Sequence, residues 1–226
     1  FACLFLKLFG KSPILYLRSD GYGEYKAIFG IFGPSIYHLM FTITTAISKL
    51  ISCQNFILKG KKGDIVSPSQ LDHEWLDNTV RVEIKKFKLL YVGRLRIEKG
   101  IFSLIELIKD KDEISLTIVG DEKNSSHSIN QKNIKIIQNE SNKLNLIQYY
   151  DSHNIFVLPS FTEGYPMVLL EALARKRPVV IFEDIKHVVG KKKGVFVSQR
   201  NYQSFFDTIN YIKNNYQNIQ DEMSVN

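Results

Sequence analysis

Apolar positions recur along this chain with two different spacings, and the alternation between them marks its elements. From Phe87 onward, short wholly apolar runs alternate with longer stretches that are apolar on one side. The runs predict strands at Leu89–Val92, Ile114–Val119, Ile134–Ile137, Ile155–Leu158, Val179–Phe182 and Val195–Val197. The one-sided stretches predict helices at Ile101–Ile108, Leu144–Tyr150, Met167–Ala174 and Tyr202–Asn214. Strands without an outward polar alternation are buried on both faces, so the pattern specifies a parallel sheet covered by helices on each side, a Rossmann-like α/β domain.

Before Phe87 the pattern is looser. Ile14–Leu17 predicts a strand that stops at a polar, glycine-bearing turn with Arg18, Asp20, Gly21 and Gly23. That turn reads either as plain surface or as an acceptor-site loop at the carboxyl end of its strand. With two glycines it falls short of a dinucleotide-binding fingerprint. Pro34 and Ser35 start a predicted helix over 36–52, whose stripe of Leu39, Ile43, Ala46 and Leu50 reads as core or as a membrane-facing side. Short strands at Asn55–Leu58 and Asp64–Ser67 follow, then a short helix containing Trp75, which Ser67 or Ser69 could cap. A polar stretch at Asn78–Lys86 separates two expected domains, residues 1–80 and 81–226.

The chemistry gathers in FVLPSFTEGYPMVLLEALARKRP, residues 156–178. A strand runs into a loop bearing Glu163, Gly164 and Tyr165, and Pro166 opens a helix whose first N–H groups, with Met167 and Val168, are free to face an anion. Glu171 stands among apolar neighbours. Buried bare it would cost several kcal/mol, roughly, so it either faces water and pairs with Arg175 one turn on, worth about 0.3–0.5 kcal/mol, or is held for a ligand. Arg94 and Lys99 follow the strand ending at Gly93, at the same carboxyl edge of the sheet. Two cations and a helix start at one edge suit a diphosphate, in the ground state and as a leaving group.

Glu163 and Glu171, eight positions apart in EGYPMVLLE, resemble the Glu-x7-Glu signature of the retaining nucleotide-sugar glycosyltransferases of family 4, the group 1 glycosyltransferases. YVGRLRIEKG (91–100) is similar to that family's first donor-site loop and LTIVGD (116–121) to its second strand, and the likeness spans roughly residues 87–215 in the family's order. The resemblance implies a GT-B fold: a Rossmann-like donor domain at 81–226 and the partial end of a second Rossmann-like, acceptor-side domain at 1–80. It implies that Arg94 and Lys99, beside Gly93, bind the donor diphosphate, and that Glu171 holds the ribose hydroxyls. Glu163 and the backbone of Gly164, Tyr165 and Pro166 would contact the transferred sugar, with Met167 and Val168 completing the phosphate cradle. Glu163, Arg94 and Lys99 are then the catalytic candidates. Retention follows from same-face attack guided by the donor phosphate or from a covalent route through Glu163. A chain starting at Phe1, with so few amino-terminal strands, is expected to be a fragment of a longer transferase. A silent nucleotide-sugar-binding remnant, and a nucleotide-sugar epimerase on the same architecture, are the alternatives.

Composition narrows the setting. With 44% hydrophobic and 23% charged residues the 226-residue chain is an ordinary globular sequence, and no run is long and apolar enough to span a bilayer. Two cysteines without ligand or redox spacing, Cys3 and Cys53, suit a reducing cytoplasm. The net charge of +7 comes from lysine-rich clusters, read as solvated faces that could also meet anionic lipid at the cytoplasmic side of a membrane. No nucleic-acid module accompanies them, so the expected partners are a nucleotide-sugar donor and a glycan or lipid-linked acceptor. No cofactor or metal is expected: Asp110 and Asp112 precede their strand at the wrong edge, and the five histidines (His38, His73, His127, His153, His187) show no ligand spacing.

Overall fold

A computed structural model of the chain describes residues 2–66, 71–120 and 131–223. Two compact units emerge, Phe1–Ser69 with Thr162–Pro166, and Gln70–Phe161 with Met167–Asn226. The proposed caps Ser67 and Ser69, together with Asp121 and His127, lie outside the described residues.

The second unit holds a six-stranded, wholly parallel sheet built from β4 (Phe87–Val92), β5 (Ile114–Val119), β6 (Ile134–Ile137), β7 (Ile155–Leu158), β8 (Val179–Phe182) and β9 (Val195–Ser198). Their spatial order is β6-β5-β4-β7-β8-β9. The strands at its centre are buried on both faces, as their unbroken apolar runs require: β7 and β8 are buried throughout. Successive residues feed opposite cores. Leu89, Tyr91, Ile155, Val157, Val180 and Phe182 meet α5 (Ile101–Leu107), α8 (Tyr202–Asn214) and α9 (Tyr216–Met223) on one side. Leu90, Phe156, Leu158, Val179 and Ile181 meet α6 (Lys143–Ser152) and α7 (Met167–Ala174) on the other. Helix α9 was not anticipated by the apolar pattern, because Tyr216, Ile219 and Gln220 bury one face of an otherwise polar segment.

The strand order reverses between β4 and β7. Chain leaving β4 builds outward through β5 and β6, whereas β7 begins the opposite half, so the carboxyl ends of β4 and β7 flank the switch point where open α/β sheets take their ligands.

In the first unit, β1 (Ile14–Leu17), β2 (Lys49–Ser52) and β3 (Asp64–Ile65) form a three-stranded parallel sheet. Four sequence expectations are corrected here. The polar stretch after β1 is not a turn but the start of α2 (Gly21–Phe29), because the Asp20 side chain accepts from the Tyr22 N–H at 3.3 Å as an N-cap. The helix expected over 36–52 is α3 (Gly33–Ile47) and ends early: residues 49–52 pair with β1, where Leu50 and Ser52 point inward together at strand period. The buried face of α3 is Gly33, Phe41 and Thr45, while Leu39 and Ile43 of the expected stripe are exposed. Asn55–Leu58 forms a 3-10 turn rather than a strand, closed by Lys59 in the left-handed region at φ 48°. Helix α1 (Ala2–Leu8) precedes β1, and α4 (His73–Leu76) buries Trp75 in the second unit's core.

Candidate functional site

The loop leaving β4 is shaped by close backbone approach. Gly93 adopts φ 154° and Gly120, at the end of β5, φ 129°; a side chain on Gly120 would sit 2.4 Å from the Gly93 carbonyl oxygen. Beyond it the Tyr91 hydroxyl donates to the Arg94 carbonyl at 2.8 Å, and Leu95 is buried as an anchor. Arg94 between them is exposed and Lys99 half-buried. Glu98, the alternative partner for these cations, lies 3.8 Å from Arg96. Gly100 then turns the chain into α5 at φ 65°, where a Cβ would stand 1.9 Å from the Pro159 carbonyl oxygen. No other residue fits that corner.

Helix α7 begins at Met167, so Pro166 stands immediately before it rather than as its first helical residue. Met167 and Val168 open the helix in the same unit as Gly93, Arg94 and Lys99, after the other strand flanking the switch point. Glu171 is buried at 8% exposure, and the Tyr150 hydroxyl donates to its Oε2 at 2.8 Å. Burial pushes the Glu171 carboxyl above the usual carboxylate range, with the tyrosine hydrogen bond opposing. Burial, with Glu171 beside it, holds the Tyr150 hydroxyl far above its ordinary value, so it stays a neutral donor.

Arg175 does not pair with Glu171. It is fully buried and clamps Asp151 with two hydrogen bonds, Nε to Oδ1 at 2.9 Å and Nη2 to Oδ2 at 2.7 Å. The same guanidinium donates to the carbonyls of Trp75, Asp77 and Asn78 at 3.1, 2.7 and 3.0 Å. Arg177, equally buried, donates to the Tyr150 and Val80 carbonyls at 2.8 and 2.7 Å and to Asp151 at 3.4 Å. Sequence reasoning missed Tyr150, Asp151 and Arg177; the basic pair following an apolar helix was the available signal.

Glu163, Gly164, Tyr165 and Pro166 group with the first unit. A Cβ on Gly164 would lie 2.1 Å from the Arg18 carbonyl oxygen, and Tyr165 packs partly buried against the core of Leu17, Phe41, Leu50 and Ile57. His153, near the signature in sequence, joins the Tyr149 carbonyl at 2.6 Å and the Thr117 hydroxyl at 2.8 Å through its two ring nitrogens. Burial lowers its pKa, as befits a packing residue at the start of β7. Asp110 and Asp112 are exposed ahead of β5, and among the described residues no three His, Cys, Asp or Glu side chains cluster as metal ligands.

The family description "Glycosyl transferases group 1" matches residues 77–226, which include the whole six-stranded sheet. This chain belongs to that family. Among relatives of the group 1 chain, the glycosyltransferase TuaC of Bacillus subtilis, named for teichuronic acid biosynthesis, is 33% identical over 123 residues, covering 53% of the chain and 31% of TuaC. The capsular polysaccharide biosynthesis glycosyltransferase CapM of Staphylococcus aureus is 28% identical over 167 residues, covering 64% of the chain and 43% of CapM. The group 1 chain therefore spans between a third and a half, roughly, of these relatives' lengths. The crystal structure of S. aureus TarM superposes with a TM-score of 0.72 at 16% identity, over 97% of this chain and 47% of TarM. That likeness establishes the GT-B fold and reaches the first unit as well as the second.

Proposed function

We propose that this chain carries the donor-binding part of a retaining glycosyltransferase of family 4, which moves a sugar from a nucleotide diphosphate to a glycan or lipid-linked acceptor. The observation that carries the reading is Glu171. A carboxylate at 8% exposure accepts one hydrogen bond, from Tyr150, although an ionised carboxylate offers about four acceptor sites. Its ionised form is disfavoured by burial and not relieved by Arg175, an arrangement that suits ribose hydroxyls as the missing donors.

The other roles follow from position in the chain. Arg94 and Lys99, in the loop after β4, bind the diphosphate, and the N–H groups of Met167 and Val168 at the start of α7 complete its cradle. Glu163 and the backbone of Gly164, Tyr165 and Pro166 take the transferred sugar. During transfer the anomeric carbon–oxygen bond to the diphosphate breaks, the acceptor hydroxyl forms the new bond on the same face, and its proton passes to the departing phosphate. Arg94 and Lys99 supply the charge that stabilises that leaving group, in place of a divalent cation. Capsular polysaccharide or teichuronic acid synthesis, for which CapM and TuaC are named, is the setting this reading takes, at the cytoplasmic face of a membrane with peripheral lipid contact.

Calorimetric titration with UDP, GDP and ADP, with and without magnesium, tests the proposal. Metal-independent binding of one nucleotide, lost in an Arg94→Ala/Lys99→Ala double variant, is expected. Binding that survives in the double variant removes the diphosphate role, and binding to none of the three removes the donor site.

A further inference from the structure

Arg200 follows β9 at the sheet's far edge in sequence, yet its guanidinium meets three other segments. Nη1 donates to the Ser103 hydroxyl at 2.8 Å, and that hydroxyl donates to the Gly100 carbonyl at 2.8 Å. Nη2 donates to Asp184 Oδ2 at 2.7 Å and to the Ser160 carbonyl at 3.4 Å. The guanidinium carbon lies 4.1 Å from the Phe161 ring centre and 4.4 Å from that of Phe182, within cation–π range of both.

These contacts surround a seam between the loops that leave β4 and β7. The Phe161 N–H donates to the Glu98 carbonyl at 3.0 Å, and the bare Gly100 α-carbon faces the Pro159 carbonyl so closely that no side chain fits. Arg200 closes the seam from outside, its rigid planar fork bridging Gly100, through Ser103, to Ser160 and Asp184 at once. A flexible ammonium has neither the planarity nor the number of donors for that.

We propose that Arg200 is a positioning residue for the donor site: it holds the loop bearing Arg94 and Lys99 against the loop from Pro159 to Phe161, so that both phosphate-facing edges of the switch point keep one register. The inference rests on the donor-site reading given above. Arg200 touches no substrate in this scheme, and it acts through the loops.

The test pairs amide hydrogen exchange with nucleotide calorimetry on the full chain, comparing Arg200→Met, Arg200→Lys and Asp184→Asn with the unaltered protein. In Arg200→Met the Phe161 amide should exchange about tenfold faster or more while the amides of Leu90 and Phe156 in the sheet keep their rates, and affinity for the bound nucleotide should fall by about tenfold or more. Arg200→Lys should restore part of the affinity and little of the amide protection. Unchanged Phe161 exchange, or unchanged affinity in a folded Arg200→Met, overturns the inference. Should Arg200→Met fail to fold, Asp184→Asn decides by the same two readings, with smaller changes of the same sign expected. If the unaltered chain binds none of UDP, GDP and ADP, the donor-site reading fails by itself, and the exchange rates still decide whether Arg200 holds the seam.

Discussion

Two regions of the second unit hold their charges in opposite ways. Along the α6–α7 side, the buried Arg175 and Arg177 pair with the half-buried Asp151 and donate to five backbone carbonyls. In the loop after β4, Arg94 is exposed and Lys99 half-buried, on a backbone whose shape is fixed by Gly93, Leu95 and Gly100. The first arrangement spends its charges on the fold, because a buried ion that lost its partner would leave several kcal/mol, roughly, uncompensated. The second fixes the backbone with apolar and glycine contacts and leaves Arg94 toward solvent. Glu171 stands between the two: buried like the arginines, but with its acceptor capacity largely unused.

Substitutions should separate these cases by their effect on stability. Arg175→Ala strips Asp151 and three carbonyls of a shared donor, and is expected to cost about 3–5 kcal/mol in urea unfolding. A cost under about 1 kcal/mol would mean that water replaces the guanidinium and that the region is less tightly held than its geometry implies. Gly100→Ala adds a methyl where the Pro159 carbonyl already lies, at a positive φ, and should cost about 1–3 kcal/mol while weakening nucleotide binding through the displaced loop.

Glu171→Gln should behave differently from either. The folded-state pKa of Glu171 is raised above its unfolded value near 4.5, so the folded protein binds the extra proton in the window above that value. Stability therefore falls as pH rises through the window, as the buried carboxylate ionises at a cost to the fold. The glutamine variant should unfold within about 1 kcal/mol of the parent, or slightly later, and lack that downward slope with pH, while binding nucleotide more than about tenfold more weakly. A variant with the parent's pH slope would move the proton to another group. Smallest of all should be the stability change in Arg94→Ala, within about 0.5 kcal/mol by thermal unfolding, while nucleotide binding weakens. A large loss of stability there would place Arg94 with the structural set.

The second unit was legible in sequence because each central strand is apolar without interruption and each helix repeats at one period. Ile114–Val119, Ile155–Leu158, Met167–Ala174, Val179–Phe182 and Tyr202–Asn214 occur at the expected residues. The first unit was less so. Residues 49–52 fit a helical stripe and a strand equally well, and pairing with Ile14–Leu17, a contact 35 residues distant, decided between them. Asp20 was an unread N-cap, since a glycine on either side of Tyr22 disguised a helix start as a turn. Of the candidate site, the loops and the two glutamates could be located by pattern. The partners of Glu171 and Arg175 could not, because i,i+4 spacing admits their pairing, and what prevented it was Tyr150 and Asp151 arriving from α6.

The two buried arginines also bear on how the protein can be dissected. A truncated form starting at residue 81, where composition suggests a clean cut, would remove Trp75, Asp77, Asn78 and Val80, and with them four carbonyl acceptors and the indole that fills the core beside Tyr150. Such a piece would keep the Asp151 and Tyr150 acceptors but leave both guanidiniums short of partners beneath an unroofed core, and is expected to aggregate for a reason unrelated to nucleotide binding. A piece that keeps Leu71 onward retains those acceptors and the indole, and is the shortened form suited to testing the proposed donor site.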